Sequence, residues 1–233
     1  RLVRVELQKE DKINTVSFAY DPFNRRISKT VQKQELEDED NAYIDNDEDS
    51  LKDETPPRPT YYVYDSQDVI LEYNQKGKIT ARYTHGPGMD EPISIERNNK
   101  PYYYHYDGLG SVTALTDQKG KIAESYSYDS FGNLKRLGNQ VKNSFTYTGR
   151  EYDKETGLYY YRNRYYDPAT GRFITQDPIG MVSGPNLYSY VKNNPINYID
   201  PYGLCKEEDK AEVPWWVWGT LIAATVEPTP YGE

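Results

Sequence analysis

The sequence predicts an all-β fold, a repetitive ribbon of antiparallel β-hairpins, and three features support this prediction. Tyrosine is abundant, with 25 residues against 5 phenylalanines, and it favours half-buried pleated surfaces. Glycine and proline number 16 and 15, which indicates many turns. The third feature is an internal repeat. Together with a mean hydropathy of −0.95, these features make long apolar helices a poor fit.

The repeat is an aromatic-x-Tyr step that is usually followed by Asp. Its second tyrosines fall 19 to 23 residues apart, at Tyr64, Tyr83, Tyr106, Tyr128 and Tyr147. Periods of this size predict β-units that bury their faces against one another. We interpret each unit as a strand ending in Tyr-Asp, a turn capped by the Asp side chain, and a second strand. The tyrosines could stack on carbohydrate, but cross-strand ladders explain their strand period better.

Residues 35–60 interrupt the repeats. The run from Glu35 to Asp53 is acidic and is followed by a proline-rich stretch up to Thr60, which predicts a solvated insertion loop. The acidic spacing faintly resembles a calcium loop. However, Ser50 and Pro56 stand where that loop needs Gly and Glu, so we expect no metal here.

After Gly149 the sequence changes character. Residues 158–166 alternate Tyr and Arg and predict one strand with an aromatic and a charged face, whereas residues 186–193 predict one or two helical turns. Two Asp-Pro-x-Gly turns begin at Asp177 and Asp200. A similar turn begins at Asp167, which we interpret as structural.

Paired carboxylates beside a cation are the groups that acid–base hydrolysis of a peptide bond needs. Asp177 and Asp200 could supply one ionised and one protonated carboxyl, because two close aspartates do not easily both ionise. Arg164 could position one of them through a bidentate contact. The alternative is that both aspartates only cap their turns.

The chain changes again after Leu204. Residues 205–233 begin with a charged run, and residues 214–226 contain all three tryptophans. That apolar segment is shorter than the roughly 20 residues of a membrane-spanning helix, so it suits a membrane interface or an apolar contact with another part of the protein. Cys205 could act as a nucleophile, but His85 and His105, the candidate bases, lie within the repeats.

Composition limits the function classes. The net charge of −9 and the absence of a basic stripe interleaved with aromatic residues argue against a nucleic-acid surface. A single cysteine excludes an internal disulfide. Because Arg1 is not an initiator Met, we expect a piece of a longer protein. The 29 residues after Leu204 are too few for an ordinary domain, so this end is truncated, vestigial or unusually small.

The Tyr-x-Tyr-Asp-x-x-Gly units, residues 83–88 and residues 145–204 resemble the rearrangement-hotspot (Rhs) and YD-repeat proteins, including their repeat-associated core domain. The resemblance covers nearly all of residues 1–204. It implies a β-ribbon that spirals into a hollow shell around a C-terminal toxic polypeptide. The implied domains are YD repeats over 1–34 and 61–150, the insertion at 35–60, a mixed, loop-rich core that caps the shell at 151–204, and the start of the variable cargo at 205–233.

The resemblance also implies roles for single residues. Asp177 and Asp200 would form an aspartyl-protease-like pair assisted by Arg164, and the cut bond would join Leu204 to Cys205. The enzyme would be a single-turnover intramolecular autoprotease that needs no cofactor and no metal.

The partners implied are the chain's own C-terminal cargo, a secretion apparatus and an immunity protein, with no nucleic acid and no transmembrane span in this region. The implied location is secreted or on the bacterial cell surface, and the implied role is that of a toxin in interbacterial competition. The alternative function is a non-catalytic surface or adhesion module that binds glycans or a partner protein.

Overall fold

The structure is a computed structural model that describes residues 1–9, 12–35, 55–137 and 141–204. In these ranges the strands form two antiparallel sheets and there is no α-helix, so the all-β prediction is confirmed. The large sheet is open, and its eleven strands lie side by side in chain order. They are β1 Arg4–Lys9, β2 Lys12–Tyr20, β3 Arg26–Glu35, β4 Thr55–Asp65, β5 Asp68–Asn74, β6 Ile79–His85, β7 Pro92–Arg97, β8 Lys100–Tyr106, β9 Val112–Thr116, β10 Ile122–Tyr128 and β11 Leu134–Leu137.

A single side-chain oxygen caps five of the described turns of the large sheet. Between β8 and β9, Asp107 Oδ1 accepts hydrogen bonds from the backbone N–H groups of Leu109 and Ser111, at 2.9 and 2.8 Å. Gly110 follows in a left-handed conformation with φ of 78°, which glycine adopts without strain. The same two bonds, to residues two and four positions ahead, recur at Asp21, Asn74, Asp117 and Asp129. The predicted turn capping is therefore confirmed.

The second tyrosine of the repeat ties its strand to the chain before it. The Tyr128 hydroxyl donates to the Val112 carbonyl at 2.6 Å, and the Tyr64 hydroxyl donates to the Arg26 carbonyl at 3.0 Å. The same kind of bond joins Tyr20 to Leu2 and Tyr106 to Pro92. Phenylalanine could not donate these bonds, which explains why the repeat uses tyrosine at this position.

The small sheet is formed by β12 Glu151–Asp153, β13 Leu158–Tyr161, β14 Arg164–Asp167 and β15 Arg172–Phe173. We call residues 151–204 the small-sheet segment. It packs against the aromatic face of the large sheet, where the rings of Phe18 and Tyr165 lie 5.3 Å apart. Short 3-10 turns cover Tyr147–Gly149, Gly180–Ser183 and Val191–Asn193.

The single strand predicted over residues 158–166 is wrong. The chain reverses at Arg162 and Asn163 and forms the β13–β14 hairpin, in which Tyr160 pairs with Tyr165. Arg162 adopts a left-handed φ of 53° at the reversal. The predicted charged face does not form, because Arg164 is buried. The Tyr/Arg alternation indicated the faces of a strand but carried no glycine or proline to mark the turn.

Two other segments differ from the sequence-based expectation. β4 begins at Thr55, so it includes the proline-rich end of the expected insertion loop. Prolines are tolerated there because the pairing of β4 with β5 starts only at Thr60, which leaves this part of β4 with one neighbouring strand. In residues 186–193 the only helical element is one 3-10 turn, in which Lys192 has a left-handed φ of 54°.

Residues 36–54 and 205–233 lie outside the described residues. The predictions for the acidic run, for Cys205 and for the tryptophan-rich residues 214–226 therefore stay predictions.

Candidate functional site

The structure brings Arg164, Asp177 and Asp200 together in the small-sheet segment. Arg164 begins β14, directly after the β13–β14 turn, and the two aspartates each begin an Asp-Pro-x-Gly turn. Arg164 Nη2 lies 3.2 Å from Asp177 Oδ2 and 3.1 Å from Asp200 Oδ2. One guanidinium nitrogen thus contacts both carboxylates.

Each aspartate uses its two oxygens differently. Asp177 Oδ1 accepts from the Ile179 N–H at 3.0 Å, and Asp200 Oδ1 accepts from the Leu204 N–H at 2.9 Å. These bonds are the turn caps already seen in the large sheet. The Oδ2 atoms face Arg164, so turn capping and a charged site coexist in the same side chains.

The rest of the Arg164 guanidinium is held by backbone and by an aromatic ring. Nε donates to the Gly203 carbonyl at 2.6 Å, and Nη1 donates to the Leu187 carbonyl at 3.2 Å. The guanidinium carbon lies 3.5 Å from the centre of the Phe173 ring. These contacts use the fixed fork of arginine, which a lysine could not reproduce.

The site excludes solvent. The side chains of Arg164, Asp177 and Asp200 are each 1 % exposed. Burial removes the hydration of both carboxylates, and the shared guanidinium and the turn N–H groups replace it. In such surroundings a charge interacts more strongly with its neighbours than it would in water.

The predicted cut bond begins beside this cluster. The Leu204 N–H is bonded to Asp200, whereas Cys205 lies outside the described residues. Gly203 fits tightly with φ of 64°, since an added Cβ would lie 2.3 Å from the Tyr161 carbonyl oxygen. The two residues before the predicted cut are therefore held, Leu204 through its N–H and Gly203 by close packing.

Asp167 stays out of this cluster, in keeping with its structural interpretation. Its Oδ1 accepts from the Ala169 N–H at 2.9 Å, and its Oδ2 accepts from the Thr170 hydroxyl at 2.8 Å. The two histidines bond within the large sheet, His85 to the Val69 carbonyl and His105 to the Thr116 hydroxyl.

Sequence reasoning missed three residues that hold the 200–204 segment. Arg162 donates to the Pro201 carbonyl, Asn163 donates to the Tyr202 carbonyl, and Asp90 pairs with Arg162. The Arg-Asn-Arg run at 162–164 was the available signal, and the single-strand interpretation concealed it.

No metal cluster and no membrane-spanning helix were found in the described parts of the chain. No group of three or more His, Cys, Asp or Glu side chains there could hold a metal ion. None of the helical turns there is long and apolar enough to cross a membrane.

A cavity of about 650 Å³ lies near the connecting residues 141–146, and its lining includes the cationic side chains of Lys29, Arg97 and Lys142. It is lined by none of the three clustered residues.

Curated relatives match nearly the whole of this chain, although the full-length proteins differ greatly from one another. The chain is 34% identical over 224 residues to the tRNA3(Ser)-specific nuclease WapA of Bacillus spizizenii, covering 93% of this chain and 8% of that protein. It is 35% identical over 219 residues to salivary gland surface protein 1 of Aedes aegypti, covering 87% of this chain and 6% of that protein. The chain thus spans less than a tenth of either relative.

Solved structures share the fold. The crystal structure of TcdB2-TccC3-TEV superposes with a TM-score of 0.66 and 25% identity, covering 88% of this chain and 10% of that one. The family model described as Teneurin YD-shell matches residues 2–196. The repeats, the capped turns and these matches agree, and the chain belongs to the teneurin YD-shell family of Rhs and YD-repeat proteins.

Proposed function

We propose that this chain is part of an Rhs-type toxin shell that encloses a C-terminal polypeptide and cuts itself once, between Leu204 and Cys205. The observation that carries the proposal is the contact of Arg164 with both Asp177 and Asp200, beside the amide of Leu204. Two carboxyls and a fixed cation at a peptide segment suit aspartyl-type hydrolysis.

The proposed step is a hydrolysis in which every proton is accounted for. One carboxylate takes a proton from water as the water oxygen bonds to the Leu204 carbonyl carbon. The other carboxyl, protonated at the start, gives its proton to the Cys205 nitrogen as the C–N bond breaks. The second proton of the water stays on the new hydroxyl, so the first products are a carboxylic acid on Leu204 and a neutral amine on Cys205, and the two aspartates have exchanged protonation states. The new acid then passes its proton to the new amine, which leaves a carboxylate and an ammonium group.

The position of the site supports a reaction within one chain. Asp200 is four residues before the proposed cut and already holds the Leu204 N–H. An intramolecular arrangement of this kind removes the entropic cost of bringing a substrate to the site. The reaction needs a single turnover, because the cut bond is part of the same chain.

The shell and cargo part of the proposal is supported by the relatives. WapA is a nuclease, and the part of it that matches this chain is 8% of its length. TcdB2-TccC3 shares the fold, and the matching part is 10% of that chain. We infer that the shared segment is the container and that the different activities belong to other parts. Release of residues 205 onward, secretion or surface exposure, an immunity partner and use in interbacterial competition follow as parts of this proposal.

The test compares three Asp→Asn variants in the full chain. Asn keeps the turn-capping oxygen, so Asp177→Asn and Asp200→Asn should fold and remain uncut. Asp107→Asn, in an equivalent turn of the large sheet, is the matched control and should cut like the wild type. For the wild type and for Asp107→Asn, denaturing gels and intact-mass spectrometry should show a fragment that begins at Cys205. An uncut wild type, or cutting by either of the two site variants, overturns the proposal.

A surface or adhesion module without catalysis is the second candidate, favoured by the likeness to a salivary gland surface protein. It predicts one intact chain that binds glycans or a partner protein.

A Cys205→Ala variant separates the thiol mechanism from the aspartyl mechanism of cleavage. Only the aspartyl mechanism allows this variant to cut.

A further inference from the structure

Three consecutive residues of the β13–β14 hairpin hold three consecutive carbonyl groups ahead of the proposed cut. The donors follow the order of the acceptors along the chain: Arg162 Nη1 to Pro201, Asn163 Nδ2 to Tyr202 at 3.0 Å, and Arg164 Nε to Gly203 at 2.6 Å. The Asn163 backbone N–H adds a second bond to the Tyr202 carbonyl, at 3.3 Å. Such one-to-one pairing fixes the register of the segment.

The large sheet orients both new donors. Asn24, in the β2–β3 turn, donates from Nδ2 to Asn163 Oδ1 at 3.1 Å, which leaves the Asn163 amide nitrogen facing Tyr202. Asp90, in the β6–β7 loop, accepts hydrogen bonds from both outer nitrogens of Arg162. Nη1 donates to Oδ2 at 2.9 Å and Nη2 donates to Oδ1 at 2.7 Å. Burial opposes ionisation of Asp90, but Arg150 and Arg162 offset this and its pKa lies below the ordinary value.

We propose that Arg162 and Asn163, which we call the register clamp, select the bond after Leu204 for cleavage. This inference rests on the proposed function. They are positioning residues, since their contacts are to the carbonyls of residues 201 and 202 and not to the bond that breaks. A slip of one residue moves the chain by about 3.3–3.6 Å and would bring a different bond to the aspartates.

The anchoring gives the clamp a second property. Because Asn24 and Asp90 belong to turns of the large sheet, the clamp is complete only when the small-sheet segment has docked on that sheet. Cleavage would then follow assembly of the shell wall and not precede it. Misplacement of a reacting group by about 1 Å can lower a rate by about 100-fold, so a loosened clamp should have a large effect.

The test uses variants that remove one donor and little else. Asn163→Asp can still accept from Asn24, but its side chain can no longer donate to Tyr202, so that only the longer backbone bond to this carbonyl remains. Arg162→Lys keeps the charge but loses the fork that bridges Asp90 and Pro201. Asn197→Ala, an exposed site in the same segment, is the matched control. Both clamp variants should cut about 100-fold more slowly than the wild type, and some of their fragments should begin at residues adjacent to Cys205. The control should keep the wild-type rate and cut site.

A second measurement separates positioning from folding. In an uncut Asp177→Asn background, Asn163→Asp should speed hydrogen exchange of the Leu204 amide at least about 10-fold while the urea midpoint of the large sheet stays within error. If both clamp variants cut at the wild-type rate and at the wild-type bond, or if exchange at the Leu204 amide is unchanged, the clamp proposal is overturned and the cleavage proposal stands. An uncut wild type instead removes the proposed cleavage, and bond selection with it.

Discussion

Arg26 in β3 and Asp153 in β12 form an ion pair in which each side chain is 1 % exposed, although 127 residues separate them in the sequence. Lys29 contacts the second oxygen of Asp153 at 2.9 Å, and Arg26 also reaches Glu151 at 2.7 Å. Burial opposes ionisation of Asp153, but Arg26 and Lys29 outweigh it, and its pKa is lowered. This cluster joins the two sheets.

Removing the Asp153 charge should weaken that junction strongly. Asp153→Asn leaves Arg26 and Lys29 buried without their carboxylate, and breaking a buried pair in this way costs about 3–5 kcal/mol. Glu155→Gln is the control, because the Glu155 side chain is 19 % exposed whereas that of Asp153 is 1 % exposed, and Lys29 keeps Asp153 as its partner, so the loss should be smaller. Urea titration measures both, and equal losses would contradict the assignment.

Acid should weaken the same junction. The folded-state pKa of Asp153 is below the unfolded value of about 3.9, so the unfolded chain takes up the proton first. The stabilisation is therefore complete above about pH 4–5 and is lost as the pH falls through the folded-state pKa. Urea midpoints measured between neutral pH and pH 2 should fall in the wild type and fall less in Asp153→Asn.

Two glycines with similar backbone conformations should respond differently to alanine. Gly203 and Gly157 have φ of 64° and 74°, but a Cβ at Gly203 meets the Tyr161 carbonyl oxygen whereas a Cβ at Gly157 meets nothing within 4 Å. Gly157→Ala should cost about 1 kcal/mol from backbone strain alone. Gly203→Ala should cost more and should also stop the proposed cut. Similar urea midpoints for the two variants would contradict the close packing at Gly203.

The tyrosine bonds to the preceding strand should be measurable. Tyr128→Phe keeps the ring and removes the donor to Val112, which should cost about 1 kcal/mol. Tyr103→Phe, at an exposed tyrosine on the same sheet, should change stability by less than about 0.5 kcal/mol. Thermal unfolding of both variants tests this, and no difference would argue that the ring alone explains the repeat.

High pH should unfold the sheets as the tyrosines ionise. Burial raises the pKa of many tyrosines, among them Tyr62, Tyr83, Tyr104 and Tyr161. The unfolded chain releases these protons near pH 10 while the folded chain keeps them, so stability falls as the pH rises above about 10. In a pH titration, most of the tyrosinate absorbance should appear together with the loss of the β-sheet circular dichroism signal. Tyrosinate that appears while the sheet signal persists would contradict the burial.

The sequence by itself determined the local architecture. Strands, turns and the Tyr-Asp period depend on contacts between near neighbours, so a hairpin ribbon could be predicted from alternation and from the capping chemistry of residues such as Asp107. The abrupt change after Leu204 and the Asp-Pro-x-Gly turns also predicted Asp177, Asp200 and Arg164 as site residues. A catalytic role for these three residues stays a prediction.

The tertiary structure decided everything that joins distant parts of the chain. The reversal at Arg162 and Asn163 carried no glycine or proline, and it is fixed by packing of the tyrosines on both strands against the large sheet. The contacts of Asn163 with Asn24 and of Arg162 with Asp90 span 139 and 72 residues. Local periodicity holds no information about such pairs, because they form only where the small-sheet segment packs against turns of the large sheet that are distant in sequence.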